Sequence, residues 1–480
     1  MSPPVVVILA AGEGTRMRSQ TPKLLHLLCG RPMIAWSVAA AREAGAQRVV
    51  VVQNPRRELD SLLGDNVAVA VQEEPRGTAD AVRSAAEQIR DADTVIVVNG
   101  DHPLTSPRTL QELADVHTRS GAAATLATAV LDDPAGYGRI VRAPDGTVER
   151  VAETKSPGDA TEHELHIREV NTGIIAFEAE QLLSALERVH SDNAQQELYL
   201  PDVLPIMRTN GRSVVAHEIS DPGAMLGIND RAQLAQARAL AQSQIHHRHM
   251  LAGVTIVDPI TTVIDAEVEI APDAVIAPFS SLHGKSSVGA GTTVGPLSTL
   301  INTRVGEGTS VVHSYADSAE IGDRAKVGPF SYLRPGTVLH EGAKAGAFVE
   351  MKNSDIGAGS KVPHLSYIGD TTIGEGTNVG AGTITANYDG TNKHRTEIGS
   401  DAFVGVDTML VAPVSVGDRA YTAAGSVITK DVPEGALGIA RERQRNIDGY
   451  TDRRKEREAP PDGESSEELR QPPDVNSDRG

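Results

Sequence analysis

Short apolar runs separated by helix-length stretches fill the first half of the chain, and a six-residue aliphatic beat fills the second. VVVIL at 5 to 9, RVVVV at 48 to 52 and TVIVVNGD at 94 to 101 are rich in β-branched residues and read as buried strands. Between them MIAWSVAAAREAG at 33 to 45 and the stretch from Thr78 to Arg90 read as helices. This alternation predicts parallel strands joined by crossover helices, an α/β sheet reaching to about residue 228. Ligands of such a sheet belong at the carboxyl ends of its strands, where the loop after Leu9 and Asp101 both fall.

From Asn229 to Met250 the pattern changes to RAQLAQARALAQSQIHHRHM, with Leu234, Ala237, Ala241 and Ile245 in helical spacing, and predicts one long connecting helix. His246, His247 and His249 lie near its end and are expected to be solvated there, where they suit the helix dipole. Beyond it aliphatic residues recur every six positions: Ile270, Ile276, Leu282, Val288, Val294 and Leu300, then, after a one-residue slip, Val305 and Val311. Further series run from Ile321 to Met351 and from Ile398 to Ile428, with Ile356, Val362, Ile368, Ile373 and Val379 between them. Neither the helical period nor the simple strand period gives six. A hexapeptide can form one flat face of a coil with a small residue at the corner, so three make a triangular turn with one aliphatic side chain per face pointing inward. Turns stack at about 4.8 Å, and roughly ten fit between residues 251 and 437. Only 3% of residues are aromatic, which suits so narrow a prism.

Composition narrows the picture further. At 480 residues the chain should split into two or three domains. A net charge of −19 without a basic block argues against nucleic acid or an acidic membrane surface as a partner, so anionic substrates need locally placed Arg and Lys. The single cysteine, Cys29, reads as a small buried hydrophobe and excludes an internal disulfide framework, which fits a reducing compartment. No stretch reaches 18 apolar residues and the N-terminus lacks a basic flank, so a cytoplasmic protein is expected. The segment from 451 to 480, charged and Pro-rich, reads as disordered.

LAAGEGTRMRSQTPK, from Leu9 to Lys23, carries the first candidate chemistry. The third glycine of a dinucleotide fingerprint falls on Met17, and the Gly-Lys-Ser/Thr of an ATPase phosphate loop is absent. What remains is a glycine loop, Gly12 and Gly14, with two fixed cations, Arg16 and Lys23, a combination that suits a polyphosphate.

That loop, with Gln72 before Gly77 and Thr78, NGD, GYGRI, EVNTGI and GIND, followed by a hexapeptide prism, closely resembles the bacterial bifunctional N-acetylglucosamine-1-phosphate uridylyltransferase and glucosamine-1-phosphate acetyltransferase family over about residues 5 to 450. The resemblance implies a Rossmann-like α/β nucleotidyltransferase domain (1–228), a connecting helix (229–250), a left-handed parallel β-helix acetyltransferase domain (251–440) and a largely disordered tail (441–480). It implies that glucosamine 1-phosphate is acetylated from acetyl-CoA and the product then coupled to UTP, with release of pyrophosphate. In the first domain it makes Arg16 and Lys23 catalytic and assigns UDP-N-acetylglucosamine contacts to Leu9, Ala10, Ala11, Gly12, Gly14, Lys23, Gln72, Gly77, Thr78, Gly138, Glu153, Asn171 with Thr172, and Asn229. Asp101 and Asn229 become ligands of Mg²⁺, a thin pair of oxygens that suits an ion keeping waters and phosphate oxygens. In the prism it makes His364 the general base, Arg334, Lys352, Tyr367 and Asn378 the glucosamine-1-phosphate binders, and Ala381, Asn387, Tyr388, Ala424 and Arg441 the acetyl-CoA contacts. It further implies a homotrimer of parallel prisms with acetyl transfer at their junctions. Asn99 stands where many relatives carry an aromatic residue, and Val406 where a serine is associated with one acetyl-CoA contact.

Two rival readings make different demands. A pyrophosphorylase with the prism as mere scaffold needs no base there, yet His364 lies in register with Lys352 and Tyr367 on neighbouring turns. A regulatory binding protein should have damaged ligands, yet Arg16, Lys23, Asp101 and Asn229 are intact.

Overall fold

A computed structural model describes residues 2–154, 159–190 and 197–458. The first sheet has Val5–Leu9 at its centre, flanked in parallel by Arg48–Gln53 and Thr94–Asn99, with Ala68–Val71 beyond Arg48–Gln53. Val5 to Ile8 and Val49 to Val52 are all buried, as runs covered by helices on both faces must be. The sheet departs from the expected all-parallel arrangement on its other side. Glu169–Glu178 is inserted antiparallel between Thr94–Asn99 and Ala124–Val130, and Val214–Glu218 closes the edge parallel to Ala124–Val130. A hairpin, Arg139–Arg142 with Val148–Ala152, branches from it. Hairpin and crossover connections both leave apolar runs of this length, so periodicity alone did not separate them. The helix expected from Thr78 to Arg90 is interrupted at Ala85 into Thr78–Ser84 and Ala86–Ile89.

The connecting helix, Arg231–Leu251, starts at Asp230, whose side chain accepts from the Gln233 amide at 2.8 Å. Leu234, Ala237, Ala241 and Ile245 are buried along one stripe as their spacing predicts. Its histidines correct the sequence reading. His247 is exposed, but His246 and His249 are 3% and 6% exposed, and neither Nε2 has a partner among the described residues. Packing at the start of the coil, not the dipole, decides their environment. Burial, then the Arg248 and His246 charges, hold the His249 pKa down to about 4. A base kept neutral in the fold but titrating near 6.5 when unfolded takes up more protons unfolded, so stability falls as pH drops from about 6.5 toward about 4. Denaturant unfolding should lose about 2 kcal/mol between pH 7 and pH 5 through this residue, and His249→Leu should remove that part of the pH dependence.

From Thr255 the chain winds into three parallel sheets of 11, 10 and 9 short strands, the faces of a left-handed β-helix. Every aliphatic residue of the six-beat is buried, from Ile270 to Ile428. The slips have a structural address. Leu300 to Val305, Met351 to Ile356 and Ile368 to Ile373 turn the same corner, between the second and third sheets, through Asn302, Asn353 and Asp370, all at positive φ. Where the beat is silent, between Val379 and Ile398, Thr385 fills the interior fully buried, its hydroxyl accepting from the Gly369 amide at 2.7 Å. Beyond it, residues 387–395 form a loop pinned by Asp389 against His394 at 2.7 Å. Part of the segment read as disordered is ordered: Tyr450–Glu458 forms a helix, consistent with its strong helix formers Arg, Lys and Glu. Residues 459–480 lie outside the described residues.

Candidate functional site

The loop after Val5–Leu9 is tied to its neighbours by backbone, Ala10 N donating to Val52 O and Gly100 N to Leu9 O, both at 2.8 Å. Gly14 sits at φ +63°, and a Cβ there would lie 2.4 Å from the Lys23 Cβ, so only glycine lets the lysine fold against the loop. Met17, at the position that breaks the dinucleotide pattern, is buried in the core. The Lys23 ammonium donates to Asp101 Oδ2 at 2.6 Å and to Asn229 Oδ1 at 2.8 Å, and Arg16 donates to the same Asn229 oxygen at 2.9 Å. Two strand ends and the approach to the connecting helix thus bring four residues, more than 200 positions apart in sequence at the extremes, around one point. Burial works to raise the Asp101 pKa, but the facing His102, whenever it is protonated, and the Lys23 ammonium outweigh it and hold the carboxyl below the usual carboxylate range.

Two cavities open on this point. One of about 450 Å³ is lined by Leu9, Ala10, Ala11, Gly12, Lys23, Gln72, Gly77, Thr78 and Asp101 among others. The second, about 580 Å³, holds Arg16, Gly138, Glu153, Asn171, Thr172 and Asn229, and Leu9, Thr78, Asn99 and His102 belong to both. Gly14 lines neither and faces a smaller cavity with Ser19, Thr21 and Arg56. Gln72 is buried and its amide nitrogen donates both protons, to Gly77 O and to Asp80 Oδ2, each at 3.0 Å. Neither partner can donate, so the amide's orientation is forced and Oε1 remains as its acceptor.

The prism places its candidates on two adjoining faces. Arg334 and Lys352 occupy equivalent positions of successive turns on the second sheet, and Tyr367 follows one turn later. The expected register of His364 with Lys352 and Tyr367 is not what the coil adopts: His364 ends a strand of the first sheet, Lys361–His364, in register with Ala347, at the corner that leads to Tyr367 on the second face, and its side chain is exposed. Asn378 stands on the first sheet, in register with Lys361. Arg334 donates to Glu350 Oε1 at 2.9 Å, and Lys352 lies 3.7 Å from Asp370. The acetyl-CoA candidates split. Ala381, Val406 and Ala424 come one per turn on the same corner, with Asp407 N donating to Ala381 O and Gly425 N to Val406 O, so they form a ladder of small side chains along the coil. Arg441 is exposed beside it, close to Gly425, and Tyr388 is exposed on the loop at 387–395 between the second and third faces, whereas Asn387 is buried with its amide on Asp370 and so faces Lys352.

A family model described as MobA-like NTP transferase domain matches residues 6–199. Three curated proteins, each named Bifunctional protein GlmU, match nearly the whole chain. The Streptomyces avermitilis protein is 50% identical over 460 residues, 94% of this chain and 95% of its own. The Kineococcus radiotolerans protein is 51% identical over 457 residues and the Mycobacterium bovis protein 47% over 460, each spanning 94% of this chain and 92% of its own. The chain belongs to the bifunctional GlmU family.

Within this GlmU family member, the structure adds residues that sequence reasoning passed over. Asp370 collects Asn353 at 2.7 Å, Asn387 and Lys352. Its burial favours the protonated form, yet the two amides and the lysine outweigh it and keep the pKa below the ordinary value. Its signal was present, as an aspartate in the small-residue corner between Ile368 and Ile373. Lys393 reaches Lys352 from the loop at 387–395, and that ammonium pushes the Lys393 pKa down. Two crowded ammonium groups form an environment that an anion relieves. In the first domain Tyr137 and Tyr199 line the larger cavity, and burial, with Glu197 and Glu153, pushes the Tyr199 pKa up to about 12. Tyr137 stands inside GYGRI, where the resemblance assigns only Gly138 as a contact, and no local motif marks Tyr199. Cys29 is buried as expected and accepts from Gln242. No helix among the described residues is long and apolar enough to cross a membrane.

Proposed function

We propose that these two clusters are the two active sites of a GlmU enzyme, with the division near residues 228 and 251 separating them. The chain is a bifunctional transferase making UDP-N-acetylglucosamine, by acetylation of glucosamine 1-phosphate and uridylyl transfer to the product, a step of cell-wall precursor synthesis. The observation that carries the assignment of residues is Lys23 held between Asp101 and Asn229 beneath the glycine loop.

In the uridylyl step a phosphate oxygen of the sugar 1-phosphate attacks the α-phosphorus of UTP and the bond to pyrophosphate breaks. Arg16 and Lys23 are placed to neutralise the charge that gathers on the leaving group. Gln72 Oε1 and the Gly77 backbone supply the acceptor and close approach that the N3–H edge of uracil needs, and Glu153 and Asn171 suit sugar hydroxyls and an N-acetyl group. The donor set fits magnesium. Asp101 and Asn229 already share one cation, the Lys23 ammonium, and among the described residues no three His, Cys, Asp or Glu side chains gather into a fuller cage. Asp101 and Asn229 would hold the ion, which when bound neutralises phosphate charge.

In the acetyl step the amine of glucosamine 1-phosphate attacks the thioester carbon. His364 takes the proton of the forming amide, and the C–S bond breaks to release the coenzyme A thiol. Arg334, Lys352 and Lys393 suit the sugar phosphate, with Asp370 positioning Lys352, and the ladder Ala381, Val406, Ala424 lets a pantetheine arm lie along the coil. A single coil spreads these groups across its second face, with His364 and the small-residue ladder on the ridge shared with the first face and Lys352 and Asp370 toward the corner shared with the third. Beside His364 that ridge carries exposed Phe330, Phe348 and Leu365 at 49%, 57% and 63%, the two rings stacked 5.0 Å apart. An apolar edge flanking a base on a convex surface supports a homotrimer in which a neighbouring coil completes the site. Buried Cys29 supports a cytoplasmic location.

Gln72→Glu tests the nucleotide end. A carboxylate there would meet only acceptors, Gly77 O and Asp80, at a cost of about 2–3 kcal/mol. Pyrophosphate release should fall about 100-fold in kcat/KM for UTP with acetyl transfer untouched. A wild-type kcat/KM would remove Gln72 from the base site.

A further inference from the structure

His102 follows Asp101, and neither the resemblance nor the chemistry above gives it a role. Its Nδ1 lies 2.9 Å from the Ala224 carbonyl oxygen. A carbonyl cannot donate, so Nδ1 carries the proton and Nε2 of the neutral ring presents its lone pair. That Nε2 makes no hydrogen bond among the described residues. It stands 3.7 Å from Asp101 Oδ1, the oxygen that Lys23 leaves unused, and the side chain is 13% exposed. The ring lines both cavities. The space in front of Nε2 is kept open by Gly227, where a Cβ would lie 2.7 Å from it. An imidazole whose one nitrogen is anchored on a backbone carbonyl while the other faces a carboxylate-bearing cavity is arranged as metal-binding histidines are.

We propose that His102 Nε2 is a third protein donor to the divalent cation held by Asp101 and Asn229. This rests on the reading of those two residues as the cation site and deepens it. One carboxylate and one amide oxygen are a hard-donor pair that suits magnesium, which takes oxygen ligands. Adding an imidazole nitrogen raises affinity for first-row transition cations such as Mn²⁺ and Co²⁺ much more than for magnesium. The chain therefore discriminates less against transition metals than two oxygen donors alone would.

Direct metal binding tests this without turnover. Mn²⁺ is titrated into the full chain and followed by electron paramagnetic resonance, with magnesium affinity obtained by competition. Pulsed spectra of the bound Mn²⁺ should show coupling to a directly bonded imidazole nitrogen, which must change on labelling the histidines with ¹⁵N. His102→Ala should remove that coupling and weaken Mn²⁺ at least about tenfold, with magnesium affinity altered less than about twofold. A label-insensitive spectrum, or coupling and affinity unchanged in a folded His102→Ala chain, overturns the proposal and leaves the cation site standing. Mn²⁺ binding undiminished by Asp101→Ala overturns the site reading and this inference together.

Discussion

Asp101→Ala should abolish pyrophosphate release from UTP and N-acetylglucosamine 1-phosphate while thiol release from acetyl-CoA continues at the wild-type rate. Among the described residues the carboxylate is the one anionic group on which Lys23 closes, at 2.6 Å, and it faces His102 on its other oxygen. On the proposed reading its removal takes away a cation ligand and also frees the lysine assigned to neutralise the leaving group. Loss of such stabilisation is worth several kcal/mol, so a fall of about 1,000-fold or more in kcat is expected. Alanine creates no unpaired buried charge other than Lys23, which keeps Asn229 at 2.8 Å, so the domain should stay folded. An assay of both activities on the same preparation reads the outcome. Equal loss of both activities would count against two separate sites.

His364→Ala should do the converse. The imidazole is exposed at the corner of the coil and contributes nothing to its interior, which is filled by Val362 and Ile368 on either side. Its removal should therefore leave melting unchanged while acetyl transfer falls by about 100- to 10,000-fold, the range of a lost general base. Uridylyl transfer from supplied N-acetylglucosamine 1-phosphate should be untouched. Near-normal acetylation would remove His364 as the base.

How much of this could be read from the chain depends on the range of the interaction. The prism was legible almost residue by residue, because each aliphatic position of the six-beat reports a local rule, one side chain inward per face, and all of them are buried. The connecting helix and the central strands were legible for the same reason. The antiparallel insertion of Glu169–Glu178 was not, since an apolar run carries no direction. Nor were the two buried histidines, whose environment is set by a different part of the fold. Of the site, the glycine loop and NGD carry local signatures. Asp370 and Lys393 acquire roles only when adjacent turns and a loop bring them to Lys352. His102 does so only because Ala224, 122 residues away, fixes its tautomer.

The central claim is that one polypeptide carries two catalytic centres that work independently in sequence. It is tested most directly by mixing the two variants. Given glucosamine 1-phosphate, acetyl-CoA and UTP, neither Asp101→Ala nor His364→Ala alone should form UDP-N-acetylglucosamine at more than about 1% of the wild-type rate. Together they should, as the first supplies the acetylated sugar phosphate that the second consumes. Product from either variant alone at a rate near that of the mixture, or none from the mixture, would contradict the account.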